Sequence, residues 1–354
     1  MGVFMNWVVN GHNILGIIFI TFLVSVILVP LAKKIAIHVG ALDIPDARKV
    51  HKHPTPRMGG LAIYCAFLLG YMLFGKLNIQ IVSILIGSFL IVILGMLDDI
   101  KPIRALYKFI VQIIAAIIVV VYGQIYFTKI TFLGLNLEFN LITSYVLSVF
   151  FIVSITNAIN LIDGLDGLSS GISSIYFLTI SIIAMLLGKF SGLDVTLSLI
   201  MLGATLGFLF HNFPPAKIFM GDSGSLFLGF MISVIALVSY KVATLTSLVI
   251  PIVILAIPIF DTVLAIFRRL LKGESIGAPD KEHFHHQLLK LKFSPRVSII
   301  IIYLVNILFS AVSIFYVIGN TKVAIVLYLF LMLALLFLIL KTDILYQHKD
   351  KNKK

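Results

Sequence analysis

The chain has a single cysteine among 354 residues, Cys65, so it forms no internal disulfide and offers no cysteine-based metal site. Charge is scarce as well: 12% of residues are Asp, Glu, Lys or Arg, against 60% hydrophobic, and the mean hydropathy is +1.12. That balance excludes a soluble domain. The sequence has no internal repeat, no low-complexity segment and no linker that would divide it into domains. Its first apolar run is full length and lacks a basic leading segment, so no cleavable signal peptide is expected.

What the sequence has instead is long apolar runs. A bilayer-crossing helix needs about 20 mostly apolar residues. Eleven stretches meet this: 14–32, 59–75, 78–97, 105–123, 140–158, 168–187, 195–213, 223–240, 245–268, 297–317 and 322–341. The expected fold is an all-α polytopic membrane protein with eleven transmembrane helices. Residues 1–341 form one membrane domain and 342–354 a basic cytoplasmic tail.

Charge sets the orientation, because cytoplasmic loops collect Lys and Arg. With the N-terminus outside and the C-terminus cytoplasmic, 22 of the 27 basic residues fall inside, and Lys76, Lys129, Lys189, Lys241 and Lys322 are left outside, one per connection. The net charge of +12 then reflects orientation and attraction to anionic inner-leaflet lipid. Nucleic acid is excluded as a partner, since no basic, aromatic-laced soluble domain exists to bind it. Of fifteen acidic residues only Glu138 and Asp194 lie on the outer side, an asymmetry the orientation rule does not require. Chemistry is therefore expected on the cytoplasmic face.

Five motifs lie on that face. Asn157, Asn160, Asp163 and Asp166 recur every third residue at the end of an apolar run, where polar groups are costly and ask for a function. In an unbroken helix these steps would drift apart, so Gly164 and Gly167 are expected to loosen it and turn the four groups toward one ligand. Asp98 and Asp99 end the third run before Pro102; they can bind a divalent cation, or one can take a proton while the other raises its pKa, or both can simply balance Lys101 and Arg104. Phe219-Met220-Gly221-Asp222-Ser223-Gly224-Ser225 is a turn at a helix start whose free N–H groups suit phosphate, with Asp222 either holding a metal or serving as a plain cap. Pro54-Thr55-Pro56-Arg57-Met58-Gly59-Gly60 is a stiff loop with a cationic rim that includes Lys52 and Arg57. His283, His285 and His286 fit a polyanionic substrate better than zinc, which would want softer ligands nearby. Asp261, inside an apolar run with Pro251 and Pro258, is expected to support the floor of the site.

Taken in chain order, from the Pro54 loop through Asp98-Asp99, the Asn157 run and the Phe219 turn to the His run, the five motifs resemble the polyprenyl-phosphate N-acetylhexosamine-1-phosphate transferase family across nearly the whole membrane region. The resemblance implies transfer of a sugar phosphate from a UDP-sugar to undecaprenyl phosphate, releasing UMP, with Mg2+ as cofactor and Mn2+ as a substitute. It implies Asp98, Asp99, Lys108, Asp222 and His283 as catalytic residues, with Asp222 and Asp99 as metal ligands. Lys52, Arg57, Asn157, Asn160, Asp163, Asp166, Asn212, Phe219, His285 and His286 would bind substrate, Phe219 by stacking on uracil. Arg57, where the muramoyl-pentapeptide branch usually has Thr, and the interrupted His run favour the UDP-N-acetylglucosamine branch, as in bacterial enzymes that begin wall teichoic acid. Localisation in the bacterial plasma membrane follows, and a homodimer stays open. The rival from another class is a transporter, which would place ionisable groups near mid-membrane, in related repeats.

Overall fold

The structure, a computed structural model, describes residues 7–45, 54–132, 135–241, 249–273 and 284–341. Helices occupy each of the eleven apolar stretches: α1 (Ile14–His38), α2 (Gly59–Phe74), α3 (Ile79–Ile100), α4 (Ala105–Ile117, continued as a π-turn over Ile118–Tyr122), α5 (Leu141–Ile162), α6 (Leu168–Leu186), α7 (Leu193–Asn212), α8 (Asp222–Lys241), α9 (Val249–Ile254) with α10 (Ala256–Lys272), α12 (Pro295–Ile318) and α13 (Thr321–Lys341). A short α11 (Phe284–Lys290) precedes α12.

Helix length matches the expected count of eleven spans in part. Among the described residues eight helices are long and apolar enough to cross a membrane; α2 and the apolar part of α13 are shorter. The ninth stretch is two helices meeting at Leu255, just before the ring of Pro258 removes a backbone donor. The tail 342–354 lies outside the described residues.

Burial runs inside out relative to a soluble bundle. In its most apolar window α8 is 94% buried, whereas α1, the most hydropathic span, is 28% buried. Lipid rewards apolar side chains outside and small or hydroxylated ones inside, where backbones approach closely. α6 follows this rule, burying Ser169, Ser170, Ser173, Ser174, Thr179 and Ser181. α8 sits at the centre, packed by α2, α3, α5, α6 and α7.

Because successive spans reverse direction, the C-terminal ends of α1, α3, α5 and α7 gather with the N-terminal ends of α2, α4, α6 and α8. At the opposite end α1, α3 and α5 begin on their own caps: Asn13, Asn78 and Asn140 each accept a first-turn N–H. α8 has no such residue, since Gly221 precedes it. Its first N–H groups find another partner.

Candidate active site

That partner is Asp99. Its Oδ1 accepts the Asp222 N–H at 2.9 Å and its Oδ2 the Ser223 N–H at 3.1 Å, so a carboxylate from α3 caps α8. The Arg57 Nε lies 3.3 Å from the same Oδ1, and the Asp99 side chain is 0% exposed. Close packing makes this reach feasible. A Cβ on Gly60 would stand 2.0 Å from the Gly224 nitrogen, and one on Gly95 would stand 2.4 Å from that of Ser223, so two glycines let α2 and α3 touch the first turn of α8. The segment before α2 straps the turn down as a short extended strip: Phe219 N–H donates to the Pro56 carbonyl, and Gly59 and Gly60 N–H donate to those of Phe219 and Met220. Arg57 also approaches Asp43, at 3.8 Å.

The neighbouring Asp98 turns the other way. Its Oδ1 accepts the Ile103 N–H at 2.8 Å, which fixes the turn from α3 into α4, and lies 2.7 Å from the Lys108 Nζ. The same Nζ donates to Asp222 Oδ2 at 2.7 Å. Asn160 Nδ2 donates to Asp222 Oδ1 at 3.2 Å and to Ser225 Oγ at 2.8 Å. One ammonium thus bridges two largely buried carboxylates, and a carboxamide fixes the second of them.

The threefold run resolves differently from its expected single wall. α5 ends at Ile162 and Gly167, left-handed at φ 78°, starts α6, so the four groups diverge. Asn157 pairs with Gln112 on α4, and Asn160 joins the carboxylates. Asp163 accepts the Ser169 hydroxyl at 2.7 Å, and Asp166 accepts the Ala216 N–H at 2.9 Å. The residue surface of Asp163 is part-exposed, but its carboxyl is enclosed by protein atoms. Burial pushes it up to about 7, against the Ser169 hydrogen bond and with help from the Asp222 and Asp99 charges.

Two residues expected to touch ligands are engaged by protein partners. Asp99, expected as a metal ligand, has both oxygens engaged by the α8 N-terminus; Asp98 is the carboxylate facing Asp222 across Lys108. Asn212, expected in the nucleotide pocket, is buried and stitches loops together: its Oδ1 accepts from Gly167 N–H and Ser170 Oγ, and its Nδ2 donates to the Ile218 carbonyl. α12 braces the same loops, through the Tyr303 hydroxyl on the Gly167 carbonyl and Arg296 Nε on that of Pro214 at 2.8 Å. Phe219 is half-buried beside Asp222, and Asp261 is buried on α10, which packs on α5. Lys52 and His283 lie outside the described residues, and of His285 and His286 only the backbone, in α11, is described.

Among the described residues no group of three or more His, Cys, Asp or Glu could cage a metal. Asp222 and Asp98 nevertheless fit Mg2+, which commonly binds one or two carboxylates and completes its shell with substrate phosphates and water. Gln112 and Ser169 are the site neighbours that motif reading missed. Only Gln112 had a signal, as a lone carboxamide in an apolar run four residues after Lys108.

Similarity to known proteins covers the helices that carry this site. The family profile described as "Glycosyl transferase family 4" matches residues 81–240, which hold Asp98 through Asp222. A Bacillus subtilis (strain 168) protein named "Probable undecaprenyl-phosphate N-acetylglucosaminyl 1-phosphate transferase" is 48% identical over 294 residues, 82% of this chain and 81% of its own. "Decaprenyl-phosphate N-acetylglucosaminephosphotransferase" of Mycolicibacterium smegmatis is 36% identical over 76% of this chain and 74% of its own. "Undecaprenyl-phosphate alpha-N-acetylglucosaminyl 1-phosphate transferase" of Escherichia coli K12 is 29% identical over 83% and 81%.

Proposed function

As the chain belongs to the polyprenyl-phosphate N-acetylglucosamine-1-phosphate transferases of glycosyl transferase family 4, we propose that it transfers N-acetylglucosamine-1-phosphate from UDP-N-acetylglucosamine to undecaprenyl phosphate, releasing UMP. The reaction runs at the cytoplasmic face of a bacterial plasma membrane and begins a cell-envelope polymer such as wall teichoic acid. One observation carries the reading at the level of chemistry: a lysine ammonium shared at 2.7 Å by two carboxylates, at the bundle end where the motifs gather.

An oxygen of the lipid phosphate attacks the β-phosphorus of the UDP-sugar, a new P–O–P bridge forms, the old one breaks and UMP leaves. Attack of an anion on an anion needs charge neutralisation and alignment more than a strong nucleophile. Lys108 meets both needs. Poised between Asp98 and Asp222, its ammonium can turn to a phosphate oxygen without a long excursion. Asp98, freed from that contact, is left to act with Asp222 on the metal. Asn160 and Ser225 keep Asp222 oriented, and Asp99 keeps the α8 N-terminus in place. Phe219 offers an aromatic face for uracil. Mg2+, held by Asp222 and Asp98, would supply the remaining neutralisation of the diphosphate.

The test is UMP release by the purified protein with undecaprenyl phosphate, Mg2+ and one UDP-sugar at a time. Release with UDP-N-acetylglucosamine alone is expected. Release only with the muramoyl-pentapeptide nucleotide would move the chain to the sister branch. Transport without UMP formation would overturn the enzyme reading.

A further inference from the structure

We propose that Gln112 is a positioning residue for the transfer reaction: its carboxamide, paired with that of Asn157, locks α4 to α5 and so keeps Lys108 in reach of phosphate. The proposal rests on the role given to Lys108 above.

α4 is poorly held. Of its thirteen residues only Gln112, Ala115 and Ala116 are buried, and its N-cap, Arg104, makes no side-chain cap bond. Beyond Ile117 the backbone loosens into the π-turn Ile118–Tyr122. Alanine methyls do little to oppose rotation or sliding of a helix. A paired carboxamide does, because hydrogen bonds are directional and each unmatched amide in apolar surroundings carries a desolvation cost.

Asn157 Nδ2 donates to Gln112 Oε1 at 2.5 Å and to the Val153 carbonyl at 2.8 Å, while Gln112 Nε2 points back at Asn157 Oδ1 at 3.5 Å. Gln112 is 2% exposed. The pair sits one helical turn behind the reaction centre on both helices. Lys108 precedes Gln112 by four residues, and Asn160 follows Asn157 by three, so each shares a helix side with its neighbour. The two contacts form successive rungs: Gln112 with Asn157, then Lys108 and Asn160 on Asp222. A one-residue slip of α4 would shift it about 1.5 Å and turn it about 100°, taking the ammonium off both carboxylates.

Gln112 touches neither carboxylate, so its loss should act through Lys108. The experiment uses the full-length protein in nanodiscs and compares wild type with Gln112→Leu and Gln112→Asn. Acetylation by acetic anhydride is followed at Lys108 by peptide mass spectrometry, with the exposed Lys76 at the far end of the bundle as the reference for reagent dose and the melting temperature as the reference for intact folding. Gln112→Leu should label Lys108 about 3- to 30-fold faster, the factor that losing one interhelical amide hydrogen bond allows, with Lys76 unchanged. In the UMP assay kcat should fall, by up to about a hundredfold for an ångström of displacement, with KM for UDP-N-acetylglucosamine within about twofold. Should the Leu variant fail to fold, Gln112→Asn, which keeps the amide and shortens the reach, carries the same two expectations. Unchanged Lys108 labelling in a folded variant overturns the proposal, as does a loss confined to KM. Absence of UMP release by wild type would instead sink the transferase reading, while the labelling result would still decide whether Gln112 holds Lys108.

Discussion

Asp99→Asn separates a cap from a metal ligand. The wild-type carboxylate accepts two α8 N–H groups, at 2.9 and 3.1 Å, and faces Arg57 Nε at 3.3 Å, all with a side chain that is 0% exposed. A carboxamide of the same shape keeps one acceptor oxygen and turns an NH2 toward a donor. One charge-assisted hydrogen bond is lost, the other is weakened, and the guanidinium loses its counter-charge. At about 1.5–3 kcal/mol for a hydrogen bond to a charged group, the substitution should destabilise the protein by about 2–4 kcal/mol. The melting temperature should drop on the order of 5 °C. Binding of Mn2+ in place of Mg2+, measured by electron paramagnetic resonance, should weaken only a few-fold, because Asp222 and Asp98 remain. Asp222→Asn should do the reverse, with Mn2+ binding nearly abolished. If Asp99→Asn left the melting temperature unchanged and abolished Mn2+ binding, the capping role would be refuted.

Lys108→Gln should lower kcat by about 10²–10³, the usual loss on removing a donor that stabilises developing charge. The same change should tighten Mn2+ binding without nucleotide, because the ammonium no longer competes for Asp98 and Asp222; resonance titration reads this directly. Asp163 titrates in the folded protein near 7, above its ordinary 3.8. The folded state therefore holds its proton while the unfolded state releases it, and the stability Asp163 contributes is full below about pH 4 and is lost as pH rises through about 7. Asp163→Asn should flatten that part of the decline in melting temperature between those pH values; an unchanged slope would show that the carboxyl is not held protonated.

Part of what the structure gathers here was legible from position. Asp98 and Asp222 are carboxylates at the edges of apolar runs, and one charge asymmetry placed both at one end; Lys108 entered through the family resemblance. Asn160 was found by the same logic. What the motifs do not carry is pairing. Asp98 and Asp99 are adjacent carboxylates with the same neighbours in sequence, yet one meets Lys108 and the other caps a helix 123 residues away. Asn212 carries the same carboxamide as Asn160, but its three hydrogen bonds are spent on two loops and the first turn of α6. Gln112 was passed over because a single polar residue in a spanning run has no motif, only a partner on another helix.

The sequence by itself determined that this is a helical membrane protein, at which ends of its apolar runs the acidic and amide groups lie, and which family it resembles. Those follow from hydropathy, charge asymmetry and motif order, all properties that sum along the chain. The tertiary structure alone decided which carboxylate shares the ammonium, what caps α8, where the ninth stretch breaks, and which carboxamide holds α4. Each of these is a hydrogen bond or a backbone approach between segments far apart in sequence. Their geometry is set by how glycines such as Gly60 and Gly95 let helices close on α8, and no local pattern encodes it.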